Sequence, residues 1–167
     1  MKIIDDKTLE NLSQKAKKSN RKRINFNYHS GESDLLQRLL NALEPSTYIR
    51  PHKHDNPDKR EVFIILKGSI AAVIFDDNGK ITTYIVMNRE NGIYAVEIPP
   101  KTWHTLFSLE ENSVMYEVKD GPYNANTDKQ FADWAPEEGS DKADGYLEEL
   151  KKIVGDKNTY HIGTWNT

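Results

Sequence analysis

The central part of the chain is a series of short, mostly apolar segments with β-strand composition, separated by polar turns. Between residues 47 and 118, short segments rich in Val, Ile, Tyr, Phe and Thr are separated by turn-forming residues. Side chains two apart in an extended chain share a face, so this pattern predicts an all-β domain of the meander or Greek-key type. The pair Asn78-Gly79 predicts a tight type I′ hairpin turn, in which both central residues have positive φ.

Two segments outside this region have apolar residues at helical spacing. Residues 6–18 place Leu9, Leu12 and Ala16 on one helical face, which predicts a short N-terminal helix. Residues 143–154 show the same spacing. We therefore predict a C-terminal helix that packs on the barrel or on another subunit.

Composition and charge narrow the classes of function. The chain has 167 residues, of which 37% are hydrophobic and 29% charged, which is typical of one compact domain. The net charge of −3 argues against a nucleic-acid binder and favours a small-molecule ligand. The absence of cysteine excludes disulfides and thiolate metal sites. No apolar run approaches membrane-spanning length and the N-terminus carries no signal-peptide core, so we expect a cytoplasmic protein without a membrane partner.

Three histidines and one glutamate are the candidate metal ligands. His52 and His54 lie two apart in a β-prone segment, so their side chains leave the same face of a strand. Neutral imidazole binds several first-row metal ions, and a carboxylate is a natural additional ligand. Glu61 follows the turn-forming residues 55–60, so a hairpin would return it toward the two histidines. His104 comes much later, and only the fold could bring it close.

The order of these residues resembles the two sequence motifs of the cupin superfamily. A His-x-His pair, a later Glu, Gly68 and then Pro-x-x-x-x-His follow one another as they do in cupins. The resemblance assigns the metal ligands to His52, His54, Glu61 and His104. The spacing from His to Glu is longer than usual in cupins, and Lys101 and Ser108 stand where Gly and Asn are usual.

A closer resemblance, along residues 23–139, is to the WbuC family of cupin-fold metalloproteins. The similar segments are residues 37–45, 48–54, 61–63, 97–100, 103–105 and 117–123. The resemblance implies a cupin-type β-barrel, a double-stranded β-helix, with residues 35–43 as a strand. The leucine spacing of that segment by itself favours a helix, but leucines on both faces also suit a strand buried on both sides. The family implies a setting in bacterial surface-polysaccharide (O-antigen-type) biosynthesis.

We expect a single domain with three parts. Residues 1–30 would form the N-terminal helix and a basic connector, residues 31–123 the cupin barrel, and residues 124–167 a C-terminal extension with one helix. The cofactor would be one divalent metal ion, with Zn, Fe, Ni and Mn all compatible with these ligands.

Strand alternation also predicts which other side chains face the metal. Tyr48 and Arg50 have the parity of His52, so they are candidate catalytic residues that could stabilise developing charge. An unpaired Arg inside a barrel is costly. Arg50 would therefore bind an anionic group of the ligand or pair internally with Glu97 or Glu117, and both alternatives remain open.

Arg23, Asn25, Asn27 and His29 are candidate ligand-binding residues outside the metal site. They could fold over the mouth of the barrel and hold an anionic or polyhydroxylated ligand. A solvated basic connector is the interpretation that we favour for this segment.

Two classes of function fit these features. In the first, a metalloenzyme uses the ion to polarise a sugar-derived or other small anionic metabolite, as an isomerase, epimerase or dioxygenase. In the second, the same barrel is a ligand-binding or sensing module without turnover. A metal-free epimerase is disfavoured by the four candidate ligands. By analogy with cupin barrels that pair through exposed strand edges, we also expect a homodimer.

Overall fold

In a computed structural model of the protein, residues 1–156 are described, and they form ten β-strands and two α-helices. The helices are α1 (Asp6–Lys18) and α2 (Ala143–Asp156). The strands are β1 (Arg23–Asn27), β2 (Leu36–Leu43), β3 (His52–Lys53), β4 (Glu61–Lys67), β5 (Ser69–Phe75), β6 (Ile81–Asn88), β7 (Ala95–Ile98), β8 (Trp103–Ser108), β9 (Ser113–Asp120) and β10 (Gln130–Phe131).

Two five-stranded antiparallel sheets face each other and form the barrel. The first sheet has the strand order β1-β2-β9-β4-β7, and the second has the order β10-β3-β8-β5-β6. Inward-facing side chains from both sheets meet in one apolar core cluster. Its buried members are Leu43, Phe63, Ile65, Ile70, Ala72, Met87, Ile98, Leu106 and Met115. The all-β, cupin-type double-stranded β-helix expected from the sequence is confirmed.

Strand β2 is a strand despite its helical leucine spacing, because both of its faces are covered. It pairs with β1 on one edge and with β9 on the other. Leu40 and Ala42 pack outward under α1, whereas Leu43 packs inward in the barrel core. A fully covered strand needs apolar residues at both parities, and such a pattern can imitate a helical stripe.

Helix α1 lies over the outer face of the first sheet. Asp5 caps its N-terminus by accepting a hydrogen bond from the backbone N–H of Thr8 at 2.8 Å. Its buried face contains the predicted Leu9, Leu12 and Ala16. The segment that follows is not the irregular connector expected from its charge, because residues 23–27 form β1 and pair with β2 along five residues, although residues 25–27 remain exposed to solvent.

Helix α2 covers the second sheet, as predicted from its apolar spacing. Leu147, Leu150 and Val154 pack with Phe75 and Phe107, which point away from the barrel interior. Residues 157–167 of the expected C-terminal extension lie outside the described part of the chain. Neither of the two described helices is long and apolar enough to cross a membrane.

The β5–β6 hairpin forms at the predicted place but with a different turn. Asp76 donates its backbone N–H to the carbonyl of Lys80 at 2.9 Å, and its side chain accepts from the N–H of Asn78 and of Lys80. Of the two central residues, Asn78 and Gly79, only Gly79 has positive φ, at 82°, so the predicted type I′ turn is wrong. The longer loop lets the Asp76 carboxylate satisfy the turn's N–H groups, which a two-residue turn would not require.

Candidate metal centre

The structure brings the four candidate ligands together inside the barrel. His52 in β3 and His104 in β8 are direct cross-strand partners in the second sheet. His54 follows β3, and Glu61 opens β4 in the first sheet. One ligand atom from each of the four lies within 4.8 Å of the others, and all four residues are buried.

The connection between the histidine pair and Glu61 is not the hairpin that the turn-forming residues 55–60 suggest. Strand β3 pairs with β8 and β10, whereas β4 pairs with β7 and β9, so the chain crosses from one sheet to the other. Glu61 therefore reaches the histidines across the barrel interior. Its side chain shares the inward face of β4 with Phe63 and Ile65, as strand alternation predicts.

Each histidine ring is oriented by a backbone carbonyl oxygen. The contacts are His52 Nδ1 with the Arg50 oxygen at 3.0 Å, His104 Nδ1 with the Thr102 oxygen at 2.8 Å, and His54 Nδ1 with the Asp128 oxygen. A carbonyl oxygen can only accept, so each Nδ1 carries the hydrogen and donates it. In the neutral ring the Nε2 atom is then left with a free lone pair, which is the form that binds a metal ion.

The inward-facing atoms of this group have no hydrogen-bond partner. His54 Nε2 lies 3.1 Å from Glu61 Oε1, and His104 Nε2 lies 2.9 Å from Glu61 Oε2, but these contacts lack hydrogen-bond geometry. Within residues 1–156, both Nε2 atoms and Glu61 Oε2 are buried without a partner. Buried polar atoms are costly when unsatisfied. A divalent cation among them would satisfy all three, so the residues present fit a metal ion.

The electrostatic environment keeps His52 in its metal-binding form. Burial lowers the pKa of His52 well below its usual value, and the nearby Lys129 ammonium adds to this effect, so the ring is neutral.

A buried ionic network beside the centre was missed by sequence reasoning. The carboxylate of Asp128 accepts hydrogen bonds from Lys59 Nζ at 2.8 Å and from Lys119 Nζ at 2.7 Å, and all three residues are buried. Lys119 Nζ also lies 3.9 Å from Glu61 and 4.0 Å from Glu117. The lysines thus connect the metal centre to the segment that follows β9.

Part of this network left a signal in the sequence. In β9, Glu117 and Lys119 have the same parity as the core residue Met115, so alternation would place both charges inside the barrel. Burial and the nearby Glu61 raise the pKa of Glu117, whose carboxylate accepts a hydrogen bond from Asn41 Nδ2 at 2.6 Å. No comparable pattern marks Lys59 or Asp128, which lie in loops.

A cavity of about 550 Å³ opens onto the centre. His52 and Glu61 lie on its floor with Phe63 and Leu106, and Lys129 is also part of its wall. The four ligand-binding candidates from the N-terminal segment also line it: Arg23, Asn25, Asn27 and His29. The cavity is thus bounded by apolar, amide and charged groups, a composition suited to a small polar ligand.

Tyr48 and Arg50 do not face this cavity, so their predicted placement beside the metal is wrong. The hydroxyl of Tyr48 donates to the Pro136 carbonyl at 2.8 Å, and its ring packs in the cluster under α2. The guanidinium of Arg50 donates to the Ala132 carbonyl at 2.8 and 3.1 Å and lies 3.6 Å from Glu137.

The physical reason is that residues 47–51 are not a strand. Regular strand structure begins only at His52, after Pro51, so the two-residue alternation does not extend back to Tyr48 and Arg50. Ile49 lines the cavity instead. Neither Glu97 nor Glu117 is the ionic partner of Arg50.

Comparison with known proteins gives one family and several related folds. A family model described as "Domain of unknown function (DUF6016)" matches residues 4–87, half of the chain. No curated protein sequence matches.

Among solved structures, the capsular polysaccharide assembling protein CapF from Staphylococcus aureus superimposes with a TM-score of 0.53 at 18% identity, over 64% of this chain and 29% of CapF. CapF has also been solved with the inhibitor 3-isopropenyl-tropolone, with the same TM-score at 19% identity, over 64% of this chain. This chain spans only about 30% of the CapF chain's length.

An uncharacterized Klebsiella pneumoniae protein with a double-stranded β-helix domain also gives a TM-score of 0.53, at 13% identity over 80% of this chain and 98% of its own. These identities establish a shared fold only.

Proposed function

The chain belongs to the family described as a domain of unknown function, DUF6016, and we propose that it is a divalent-metal-binding cupin protein acting as a small metalloenzyme. The proposed ligands are His52, His54, Glu61 and His104. The observation that carries this proposal is the set of buried His54, His104 and Glu61 atoms that lack hydrogen-bond partners in the described residues while lying close to one another.

The surrounding residues suit a metal site because they fix the ligands. Three backbone carbonyls hold the imidazole rings in one tautomer, and one of them belongs to Asp128, whose side chain is itself held by two buried lysines. A divalent ion bound there would supply a Lewis acid for a carbonyl or hydroxyl oxygen of a substrate. The cavity, of about 550 Å³, would admit such a molecule.

We propose a sugar-derived or other small anionic metabolite of bacterial surface-polysaccharide biosynthesis as the substrate. Support comes from the resemblance of residues 23–139 to the WbuC family and from the fold shared with CapF, which is described as a capsular polysaccharide assembling protein. The cavity wall offers amides, a histidine and cations, which are groups that bind hydroxyl and anionic substituents.

Metal analysis of purified variants tests the site. We expect about one equivalent of divalent metal in the native protein and in His29→Ala, and almost none in His52→Ala or His104→Ala, with far-ultraviolet circular dichroism unchanged. His29 is the matched control because it lines the cavity but is not among the four clustered residues. Full metal retention in both ligand variants would refute the assignment.

A turnover assay separates enzyme from sensor. Metal-loaded protein is expected to convert at least one member of a panel of nucleotide sugars and keto sugars, and chelation is expected to stop the reaction. Saturable binding with no conversion across the panel would instead favour a ligand-binding module.

A further inference from the structure

Most cations near the cavity are already neutralised by carboxylates. Arg23 donates to Glu138 at 2.6 Å and to the Tyr48 carbonyl at 2.8 Å. Lys119 lies against Asp128 and near two further carboxylates, which raise its pKa although burial alone would lower it. Neither residue is therefore free to bind an external anion without losing an internal partner.

Lys129 differs from both, because it has no ionic partner among residues 1–156. No carboxylate oxygen of that part of the chain lies within 4.0 Å of its ammonium group, and no described group accepts a hydrogen bond from it. The side chain of Lys129 is exposed to solvent and lines the cavity. An ammonium group without an internal partner is free to form a charge-assisted hydrogen bond with an anion that enters the cavity.

The position of Lys129 is fixed relative to the metal centre. It directly follows Asp128, which two buried lysines and His54 hold in place. Two residues later, Phe131 pairs with His52 in the second sheet. Lys129 and His52 consequently line the same cavity.

The charge around the centre favours an anion once a metal ion is bound. Three carboxylates are balanced by three ammonium groups: Glu61, Glu117 and Asp128 against Lys59, Lys119 and Lys129. A divalent cation would leave this interior positively charged.

The opposite wall of the cavity offers amides. Asn25 Nδ2 donates to Asn27 Oδ1 at 3.2 Å, and Asn41 Nδ2 donates to Glu117 at 2.6 Å. Within the described residues, each of these amides keeps its other polar group available to the cavity. Free amide donors and acceptors arranged along a wall match the hydroxyl groups of a polyol chain.

We propose that the ligand of this cavity is a small hydroxylated carboxylate, whose anionic group binds between Lys129 and the metal ligands and whose hydroxyl groups face Asn25, Asn27 and Asn41. The proposal rests on the proposed metal site and adds the substrate class and a specificity-determining residue, Lys129. It also assigns to Lys129 the anion-binding role that the sequence suggested for Arg50.

Calorimetric titration of zinc-loaded protein with gluconate and with glucitol tests this proposal, because the two molecules share a hydroxylated six-carbon chain and differ in the carboxylate. We expect gluconate to bind at least tenfold more tightly than glucitol. Lys129→Gln is expected to weaken gluconate binding about tenfold, since a hydrogen bond to a charged group is lost, and to change glucitol binding less than twofold. Lys129→Arg should restore most of the affinity for gluconate.

Lys152→Gln is the matched control, because it removes the same charge from the exposed surface of α2 and should change neither affinity. The proposal is overturned if metal-loaded protein binds gluconate no better than glucitol, fails to bind it at millimolar concentration, or binds it equally well in Lys129→Gln. Metal content measured on the same samples distinguishes a wrong metal site from a wrong ligand class. Protein that takes up no zinc would contradict the metal site itself, whereas full zinc with no preference for gluconate would contradict only the ligand class.

Discussion

Asp128 has two roles at the centre. Its backbone oxygen accepts the Nδ1 hydrogen of His54, and its carboxylate is shared by the buried lysines Lys59 and Lys119. Removing the carboxylate would leave two buried ammonium groups short of their closest anionic partner. Uncompensated buried charge is among the most destabilising results of a single substitution.

We therefore predict that Asp128→Ala lowers the free energy of unfolding by about 3–5 kcal/mol at pH 7, measured by urea denaturation. Asp133→Ala, which removes an exposed carboxylate nearby, is the control and should change it by less than about 0.5 kcal/mol. An equal effect of the two substitutions would show that the ionic network contributes little.

The same substitution has a predictable pH dependence. Burial would raise the pKa of Asp128, but Lys119 and Lys59 outweigh it, so the pKa in the folded protein lies below the usual value of 3.8. A lowered pKa in the folded state adds stability above the unfolded-state pKa, and this stability is lost as the pH falls through the folded-state pKa. The difference in stability between native protein and Asp128→Ala should thus persist at pH 5 and shrink below about pH 3.8. A constant difference down to pH 3 would contradict the ionic origin.

Individual residues also show where sequence reasoning succeeds and where it stops. His52, His54, Glu61 and His104 could be grouped because their order resembles a known motif. The placement of Tyr48 and Arg50 failed, because strand parity was extended through Pro51 into irregular backbone. The roles of Lys59 and Asp128 could not be predicted, because contacts between distant loop residues produce no periodic pattern in the sequence.

At the level of elements, the loop between β5 and β6 depends on one glycine. Gly79 has a φ of 82°, and a Cβ atom there would lie 2.6 Å from ring atoms of Trp134. Gly92 has a similar φ of 75°, but no atom lies within 4 Å of the position of its Cβ. Both glycines adopt a positive φ, but only Gly79 is closely packed against a side chain.

We predict that Gly92→Ala lowers the free energy of unfolding by about 1 kcal/mol through backbone strain alone. Gly79→Ala should cost at least about 1 kcal/mol more, because the Trp134 ring must move. Thermal unfolding of both variants, followed by circular dichroism, measures the difference. Equal costs would mean that Trp134 is not held against the loop.

Elements were predictable in type and less so in pairing. Both helices follow from apolar spacing alone, whereas β2 was predicted as a strand from the family resemblance, although its leucine spacing by itself favours a helix. The crossing from β3 to β4 was not predictable from residues 55–60, because a turn-forming composition fixes where the chain bends and not which strands then pair. The same limit applies to β1, whose basic residues suggested a connector although its backbone completes the edge of the first sheet.

For the whole molecule, the proposed metal site joins the two sheets. His52 and His104 belong to the second sheet and Glu61 to the first, so a bound ion would tie the two walls of the barrel together. We propose that residues 1–30 and residues 124–156 fold with the barrel as one domain, because α1 packs on the first sheet and α2 on the second.

Metal binding to the folded state alone should accordingly stabilise the entire domain. At a free zinc concentration of 100 times Kd, we predict that zinc raises the free energy of unfolding of the metal-free protein by about 2.7 kcal/mol. This corresponds to an increase in Tm of roughly 5–10 °C in one cooperative transition. His104→Ala should show no such increase. A stabilisation equal to that of the native protein would place the ion elsewhere.

The most direct test of the central claim is an anomalous-difference map from crystals of protein purified without chelators or an immobilised-metal column, recorded at the absorption edge of the metal found by elemental analysis. We predict one dominant peak inside the barrel, within coordination distance of His52, His54, Glu61 and His104. A peak elsewhere, or none in protein that contains a full equivalent of metal, would contradict the account of this site.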